Sequence, residues 1–517
     1  MSHFTLVFDS IKTEKNKVAQ IELKTELLEG IPNWRFQKNG YEWLISGNPF
    51  YKVGNKYVPI DNLLVHQVPT MEDAAFGAYV IIKWNQQGIQ VVTDTVGLRD
   101  LYYFHDIKNH CLFLSSSAFE IATRVGTPLK LDEIASSWIC YNKINQHSLY
   151  EGIQRVVQGK NVAFAYDFEA TIRQQRLEYP NSNPHEQLIH LFESIDLGHR
   201  EAFLALSGGV DSRYLLSIMM AIQANFTCCS YGSVQDNLDS RIAEQICEEV
   251  GIKHQCFVAN SNNVTTQSIK EDLSYTYSYF LTPQHVLRLR ENEALDKGRV
   301  VFDGGFGEIF RGAFLKKIQW QGKKALKYAS AKDLLPLLSD SKPNIFRDHI
   351  WKELKDSVIA ELDRYLNNQD IEVRSNPSDW IKEFSFKSRL PNFYGSEQLK
   401  NDHYQLNIMP FTWAPVLLGF LNTSRNPIDF KKHIHHTILR QFPLIKGDLS
   451  IPFRTPTMIV PILKRLHTIS SPKIAHTQNE PIKLTEREMD HPWIDPDKWT
   501  ENNHAWYKAF FAKVVEQ

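Results

Sequence analysis

The chain has little cysteine, and none of it is paired at short spacing. Its 517 residues include six cysteines, Cys111, Cys140, Cys228, Cys229, Cys247 and Cys256, with no CxxC among them. That argues against a zinc ribbon or a dithiol redox motif. Cys228 and Cys229 fall in a strand-like run, FTCCSY, and Cys247 falls on the apolar face of a helix, so buried reduced thiols are expected. Long apolar runs are missing too: none reaches the about 18 residues that a membrane helix needs. The start, MSHFTLVFDSIKTEKN, lacks the positive end, apolar centre and cleavage site of a signal peptide. A cytoplasmic protein with no membrane partner is expected. Neither sign of charge dominates, with 58 Lys and Arg against 59 Asp and Glu, so no general affinity for nucleic acid is expected. Repeats and low-complexity tracts are absent. His433, His435 and His436, in KKHIHHTILR, have no Cys or carboxylate at ligand spacing and read as a solvated helix face.

What is present is concentrated at 202–218, AFLALSGGVDSRYLLSI. The apolar run Ala202 to Leu206 reads as a buried parallel strand. Ser207-Gly208-Gly209-Val210-Asp211-Ser212 follows, and Tyr214, Leu215, Ile218, Met219 and Ile222 then recur at helical spacing. A small hydroxyl-rich loop thus joins a strand end to a helix N-terminus, where free N–H groups and the helix dipole favour an anion. Asp211 would repel a bare phosphate unless a divalent cation bridged the two, which points to a nucleotide pyrophosphate with Mg2+.

The length allows two to four domains. Residues 1 to about 180 read as mostly β, with short alternating segments HFTLVF, YEWLIS, GAYVIIKW, IQVVTD, LYYF, CLFLSS and NVAFAY. Asn39-Gly40 and Gly47-Asn48-Pro49 read as turns between them, and a helix is expected over Leu131 to Trp138. Asn181-Ser182-Asn183-Pro184 is the candidate linker between domains at 1–180 and 185–517. Beyond it, helix 185–194, strand AFLAL, helix 239–250 closed by Gly251, and strands FTCCSY, HQCFV and RVVFD alternate. That order predicts an α/β, doubly wound parallel sheet with its ligand beyond the carboxyl ends of the strands. The loop at 207–212 and the segment Asp303–Glu308 both lie there. From about 325 onward the pattern is mainly helical, with Pro-rich breaks near 443–456.

The loop resembles the SGGxDS pyrophosphate loop of the ATP pyrophosphatases. The wider order of parts is similar to asparagine synthetase and its relatives, the β-lactam synthetases and lasso-peptide cyclases. AAFGAYVII, the stretch Asp94 to Tyr103, Leu112 to Ser116, Tyr150 to Ile153 with Gly159, and Met409-Pro410-Phe411-Thr412 carry that likeness. The resemblance implies an N-terminal Ntn-hydrolase-like α/β/β/α sandwich, then an adenylating ATP pyrophosphatase domain (adenine nucleotide alpha hydrolase-like) with a helical C-terminal part. It implies ATP and Mg2+ as cofactors. ATP and pyrophosphate would be held by Leu206, Ser207, Gly208, Gly209, Val210, Asp211, Ser212, Gly304 and Gly305.

Departures from the family pattern shape the functional reading. Ser2 stands where the family has its glutamine-cleaving cysteine, so the N-terminal domain is expected to be silent toward glutamine. Gly307 stands where an Mg2+-binding Asp belongs; Asp303 would then share the metal with Asp211, with Glu308 as the other candidate. Leu406 stands where a catalytic Glu is found; Glu397 and Tyr404 are nearby, and the general base stays unassigned. Lys446 best matches the family lysine that stabilises departing pyrophosphate, so Lys446, Asp211 and Glu308 are the catalytic candidates. The expected reaction adenylates a carboxylate and joins it to an amine, foremost as ring closure within one substrate. The resemblance also implies a carboxylate partner such as a precursor peptide, with a protease or peptide-processing protein alongside. Amidation of a small acid or uronic acid by ammonia, and a non-catalytic binding module, are the alternatives. Thiolation and lysidine enzymes share the loop, but the β-rich half and the lack of basic stripes argue against an RNA substrate.

Overall fold

Alternating apolar residues build the first half into two antiparallel sheets. The computed structural model describes residues 3–12, 19–29, 33–63, 74–175, 183–232, 237–258, 299–339, 344–402, 405–422 and 492–501. Ser2, Tyr404, the three clustered histidines, the breaks near 443–456 and Lys446 lie outside these residues. One sheet has the order β10-β8-β9-β1-β2, from strands Gln154–Arg155, Tyr102–Asp106, Cys111–Ser115, His3–Lys12 and Ala19–Glu29. The other has the order β12-β11-β7-β6-β4-β3, from Ala170–Gln174, Lys160–Phe164, Gly88–Thr93, Ala74–Asn85, Tyr41–Val53 and Asn33–Lys38, and β5 (Lys56–Pro59) pairs with β4. Phe4, Leu6 and Phe8 of β1 pack with Leu112 and Leu114 against Leu44, Val80, Ile82 and Val91 of the facing sheet. Period-two alternation puts these residues on one side of each strand, which is what fastens the two sheets face to face. Tyr102, Phe104 and Phe113 point the other way, toward α1 (Ala118–Val125) and α2 (Leu131–Ile139). The N-terminal half is thus a two-sheet sandwich with helices on one outer face, and α2 ends one residue beyond its expected limit.

The turn expected at Gly47-Asn48-Pro49 is not one. These residues lie inside β4, where Gly47 faces Tyr79 and Pro49 faces Gly77 on β6. Gly47 has φ +102 and Gly77 φ +122, and a Cβ on either would come within 2.1 Å of a backbone oxygen. The glycines thus serve a close crossing of two long strands, not a reversal. Strands β2, β3, β10, β12 and β5 escaped the sequence reading. Most are short or run along a sheet edge, and β12 is exposed at every residue, so they carry little apolar alternation.

The second half begins with α3 (Pro184–Ser194), capped by the Asn183 side chain accepting from His185 N–H. A parallel sheet follows with the order β15-β14-β13-β16-β17, from His254–Phe257, Thr227–Tyr231, Ala202–Ala205, Val300–Phe302 and Leu406–Ile408. Helix α4 (Val210–Ala221) follows β13, and α5 (Leu238–Val250) follows β14, with Gly251 as its left-handed C-cap. β17 is three residues long and interrupts the expected helical region. Helices 331–338, 348–367, 371–375, 377–384, 395–401, 414–422 and 496–501 and a π-helical stretch, 385–394, make up most of the rest of that region among the described residues. The two halves share one core: Phe76 packs on Trp413, Trp413 on Phe192, and Phe192 on Phe302.

Candidate active site

The loop after β13 is held by its own side chains. Ser207 Oγ lies 3.1 Å from Ser212 Oγ and accepts from Gly209 N–H, while Ser207 N–H donates to Ser212 Oγ at 3.2 Å. Arg213 donates through Nη2 to the Gly208 carbonyl at 2.9 Å and through Nε to the Gly209 carbonyl at 3.2 Å. Those carbonyls are fixed by a buried guanidinium, which orients the peptides at the start of α4.

A cavity of about 450 Å3 opens over this loop at the carboxyl ends of the parallel strands. Ser230 and Tyr231 line it above β14, Leu206, Ser207, Gly209, Asp211 and Ser212 above β13, and Asp303, Gly304, Gly305 and Glu308 above β16. Arg389, Phe393, Tyr394 and Glu397, from the π-helical stretch and the helix after it, line it as well. Gly208 and Val210 belong to the loop but not to the cavity wall. The structure therefore brings together most of the expected site residues, and Lys446 lies outside the described residues.

The two expected metal carboxylates are arranged differently from one another. Asp211 accepts Arg311 Nε at 2.7 Å and Nη2 at 2.9 Å, so both of its oxygens face one guanidinium. Burial pushes the Asp211 carboxyl above its usual range, and the Arg311 hydrogen bonds oppose that. Gly307 leaves room for the pair, because a Cβ there would lie 2.7 Å from both Cβ and Cγ of Asp211. Asp303 accepts Gly305 N–H at 2.6 Å and Asn407 Nδ2 at 3.0 Å. Asp303 also lines the cavity wall, beside Gly304 and Gly305. A cation bridging both carboxylates, as expected from sequence, does not fit while Arg311 holds Asp211.

Glu308 Oε1 accepts the Tyr394 hydroxyl and, at 3.3 Å, Arg389 Nε. Burial, and then the Glu308 charge, keep the Tyr394 hydroxyl protonated well above its usual range. Leu406 is a buried residue of β17 paired with Val300, away from any proton-transfer role. Arg311, Arg389, Tyr394 and Asn407 were not identified from sequence. Arg311, three residues after Glu308, was the one within reach, since an arginine closing a glycine-rich acidic turn has few other partners nearby.

A phosphate-type loop at a helix N-terminus, at the carboxyl edge of a parallel sheet, defines a nucleotide-binding domain of the ATP pyrophosphatase class. Residues 199–430, a little under half of the chain, match the asparagine synthase family, so this domain is asparagine synthetase-like. Members form amide bonds by ATP-dependent adenylation, and this chain is an ATP-dependent amide-forming ligase. No curated protein sequence matches significantly. Similar solved structures include an allosteric regulatory enzyme of purine biosynthesis, 12% identical over 61% of this chain and 71% of that one, with a TM-score of 0.20. Another is glutamine phosphoribosylpyrophosphate amidotransferase from B. subtilis complexed with ADP and GMP, 10% identical over 60% and 71%, with a TM-score of 0.20. Among the described residues, no helix is long and apolar enough to cross a membrane.

Proposed function

We propose that the chain activates a carboxylate with ATP and closes it onto an amine of the same substrate, without hydrolysing glutamine. The observation that carries this reading is the cavity itself, with phosphate-type donors above β13 and an acid-lined chamber above β16. Ser207, Ser212 and the free N–H groups of α4 hold the pyrophosphate portion and take up charge as it leaves. Ser230 and Tyr231 face the adenosine end. Asp303 meets Mg2+, which supplies charge neutralisation at the phosphates when bound. Asp211 stays with Arg311 and fixes the Asp303–Glu308 turn against the loop. Lys446 steadies the departing pyrophosphate. Glu308, held between Tyr394 and Arg389, is the carboxylate placed to accept a proton from the attacking amine.

Ser2 in place of the glutamine-cleaving cysteine supports an amine that is not made by this chain. Ring closure of the lasso macrolactam or β-lactam kind meets that condition with one substrate, such as a precursor peptide supplied by a processing protein. ATP–pyrophosphate exchange, screened over acids and acidic peptides, tests the reading. Exchange that requires one acid, followed by a product one water lighter than that acid, is expected. Exchange followed by a carboxamide only when ammonium is added would replace ring closure with amidation of a small or uronic acid.

A further inference from the structure

Charge is balanced over the whole chain, 58 Lys and Arg against 59 Asp and Glu, and that balance hides a one-sided stretch. From Ile309 to Lys332 there are seven Lys and Arg and no Asp or Glu. Two short helices, Lys316–Gln321 and Lys323–Lys327, form its centre. Gly322 N–H donates to the Ile318 carbonyl at 2.8 Å and Leu326 N–H to the Gly322 carbonyl at 2.9 Å, so the helical path runs on through Gly322. Ile318, Gly322, Ala325 and Leu326 are buried along one side, at helical spacing. Lys317, Trp320, Lys324, Lys327 and Tyr328 are exposed along the other, with Lys323 beside them. Trp320 is 70% exposed and Tyr328 67%. Among the described residues none of Lys317, Lys323, Lys324 and Lys327 has an ion pair. Lys327 Nζ instead lies 5.5 Å from the centre of the Tyr328 ring.

Single exposed apolar residues are ordinary, but a tryptophan and a tyrosine set among lysines on one helix face call for a counterpart that is negative and accepts aromatic rings. The face is a convex helix surface. The cavities at the strand ends, beside β10, at the hairpin tips and between the halves are all lined by other residues. An extended peptide finds no groove or strand edge in these two helices against which to lay its backbone. The two long stretches outside the described residues do not supply the charge: 259–298 carries four Lys and Arg against five Asp and Glu, and 423–491 eleven against six. Arginine, the side chain best shaped for nucleic-acid phosphates, is absent from the face. A bilayer surface is flat, meets lysines at its anionic headgroups and takes Trp and Tyr at headgroup depth. We propose that the face from Lys317 to Tyr328 is a docking site for an anionic lipid surface. The protein rests on that surface and does not span it, since no helix among the described residues is long and apolar enough to cross a membrane. The stretch starts two residues beyond Phe314, whose ring centre lies 4.3 Å from the Arg389 guanidinium on the cavity wall, so docking face and cavity are neighbours in the fold.

Cosedimentation of the full-length protein with vesicles tests this, with no assumption about the reaction. Vesicles of phosphatidylcholine containing about 30% phosphatidylglycerol should bind it at least about tenfold more tightly than phosphatidylcholine alone, and about 0.5 M NaCl should release it. Each lysine near an anionic surface is worth about fivefold in partition, so Lys317→Gln, Lys324→Gln and Lys327→Gln combined should cost about a hundredfold. Trp320→Ala should weaken binding several-fold and keep the preference for anionic vesicles. Both variants should keep the native melting temperature, because the changed side chains are exposed. Absence of binding to either vesicle, equal binding to both, or a triple variant that binds like the native protein would overturn the proposal. Binding of transfer RNA or of polyglutamate that the triple variant loses, with no vesicle binding, would give the face to a different partner and overturn it as well.

Discussion

Arg99 and Asp402 form an ion pair in which neither side chain is exposed, and they come from opposite halves of the chain. Asp402 lies just before β17, and Arg99 lies between β7 and β8. Arg99 also donates to the Ala78 carbonyl and to Ser46 Oγ, each at 3.4 Å, beside the Gly47–Gly77 crossing. The amide-forming half is therefore fastened to the sandwich by a charge pair in the shared core.

Such a pair is costly to break from one side. Arg99→Met alone leaves a buried carboxylate without its counter-charge and is expected to destabilise the protein by about 3–5 kcal/mol. Adding Asp402→Leu removes the orphan charge and should recover most of that loss. Thermal and urea unfolding of the two single variants and the double variant measure this. Additive losses in the double variant would mean that the pair does not couple the halves.

Two carboxylates in the sandwich make stability depend on pH in opposite directions. Burial pushes Asp94 up to about 6, although the N–H groups of Leu98 and Arg99 donate to it. Between about pH 4 and 6 the unfolded chain ionises this group before the folded one does, so stability falls as pH rises through that window. For Glu133 burial pushes upward too, but hydrogen bonds and charge from His147 and Lys143 outweigh it and hold the group at about 2. Its contribution is present above its ordinary value near 4.5 and is lost as pH falls toward 2. Melting temperature against pH should show Asp94→Asn flattening the upper window and Glu133→Gln the lower one.

The loop and its strand and helix were legible because small hydroxyl-bearing residues between an apolar run and a helical period have one physical use. Helix limits at Asn183–Pro184 and at Gly251 were legible for the same reason, since a cap residue is local chemistry. What the sequence could not show is long-range pairing. Arg311 meets Asp211 across 100 positions, and Tyr394 meets Glu308 across 86. Gly47 and Gly77 look like turn residues until their strands are seen crossing. β17 is too short for any period to reveal, yet it carries the residue that holds Asp303.

Gly307 makes the Asp211–Arg311 pair possible. Gly307→Ala would place a methyl group 2.7 Å from the Asp211 carboxyl carbon, so Asp211 must move and the two-point contact is lost. Hydrogen bonds to charged groups are worth about 1.5–3 kcal/mol each, so exchange should fall about tenfold or more if the pair aligns the loop for catalysis. Arg311→Met should reproduce the loss. A Gly307→Ala protein with the native exchange rate would show that the pair is incidental to the reaction.

Asn407 turns the buried junction between halves into an influence on chemistry. Arg99 holds Asp402, Asp402 accepts Gln398 Nε2 at 2.9 Å, and that same amide donates to the Asn407 carbonyl at 2.5 Å. Asn407 Nδ2 in turn donates to Asp303 at 3.0 Å. The sandwich thus reaches an oxygen of a carboxylate on the cavity wall, through four side chains that are all buried. Asn407→Leu keeps the volume and removes the Nδ2 donor to Asp303, along with the weaker contacts of the amide to Gln398 and Gln405. The expected result is a fall in kcat for exchange of about tenfold, from loss of one hydrogen bond to a charged group, with KM for ATP little changed. Arg99→Met with Asp402→Leu, once its stability is recovered, should shift kcat in the same direction by less, because it acts two links further away. A change in KM for ATP with kcat intact would instead make Asp303 a binding group, and the junction a purely structural one.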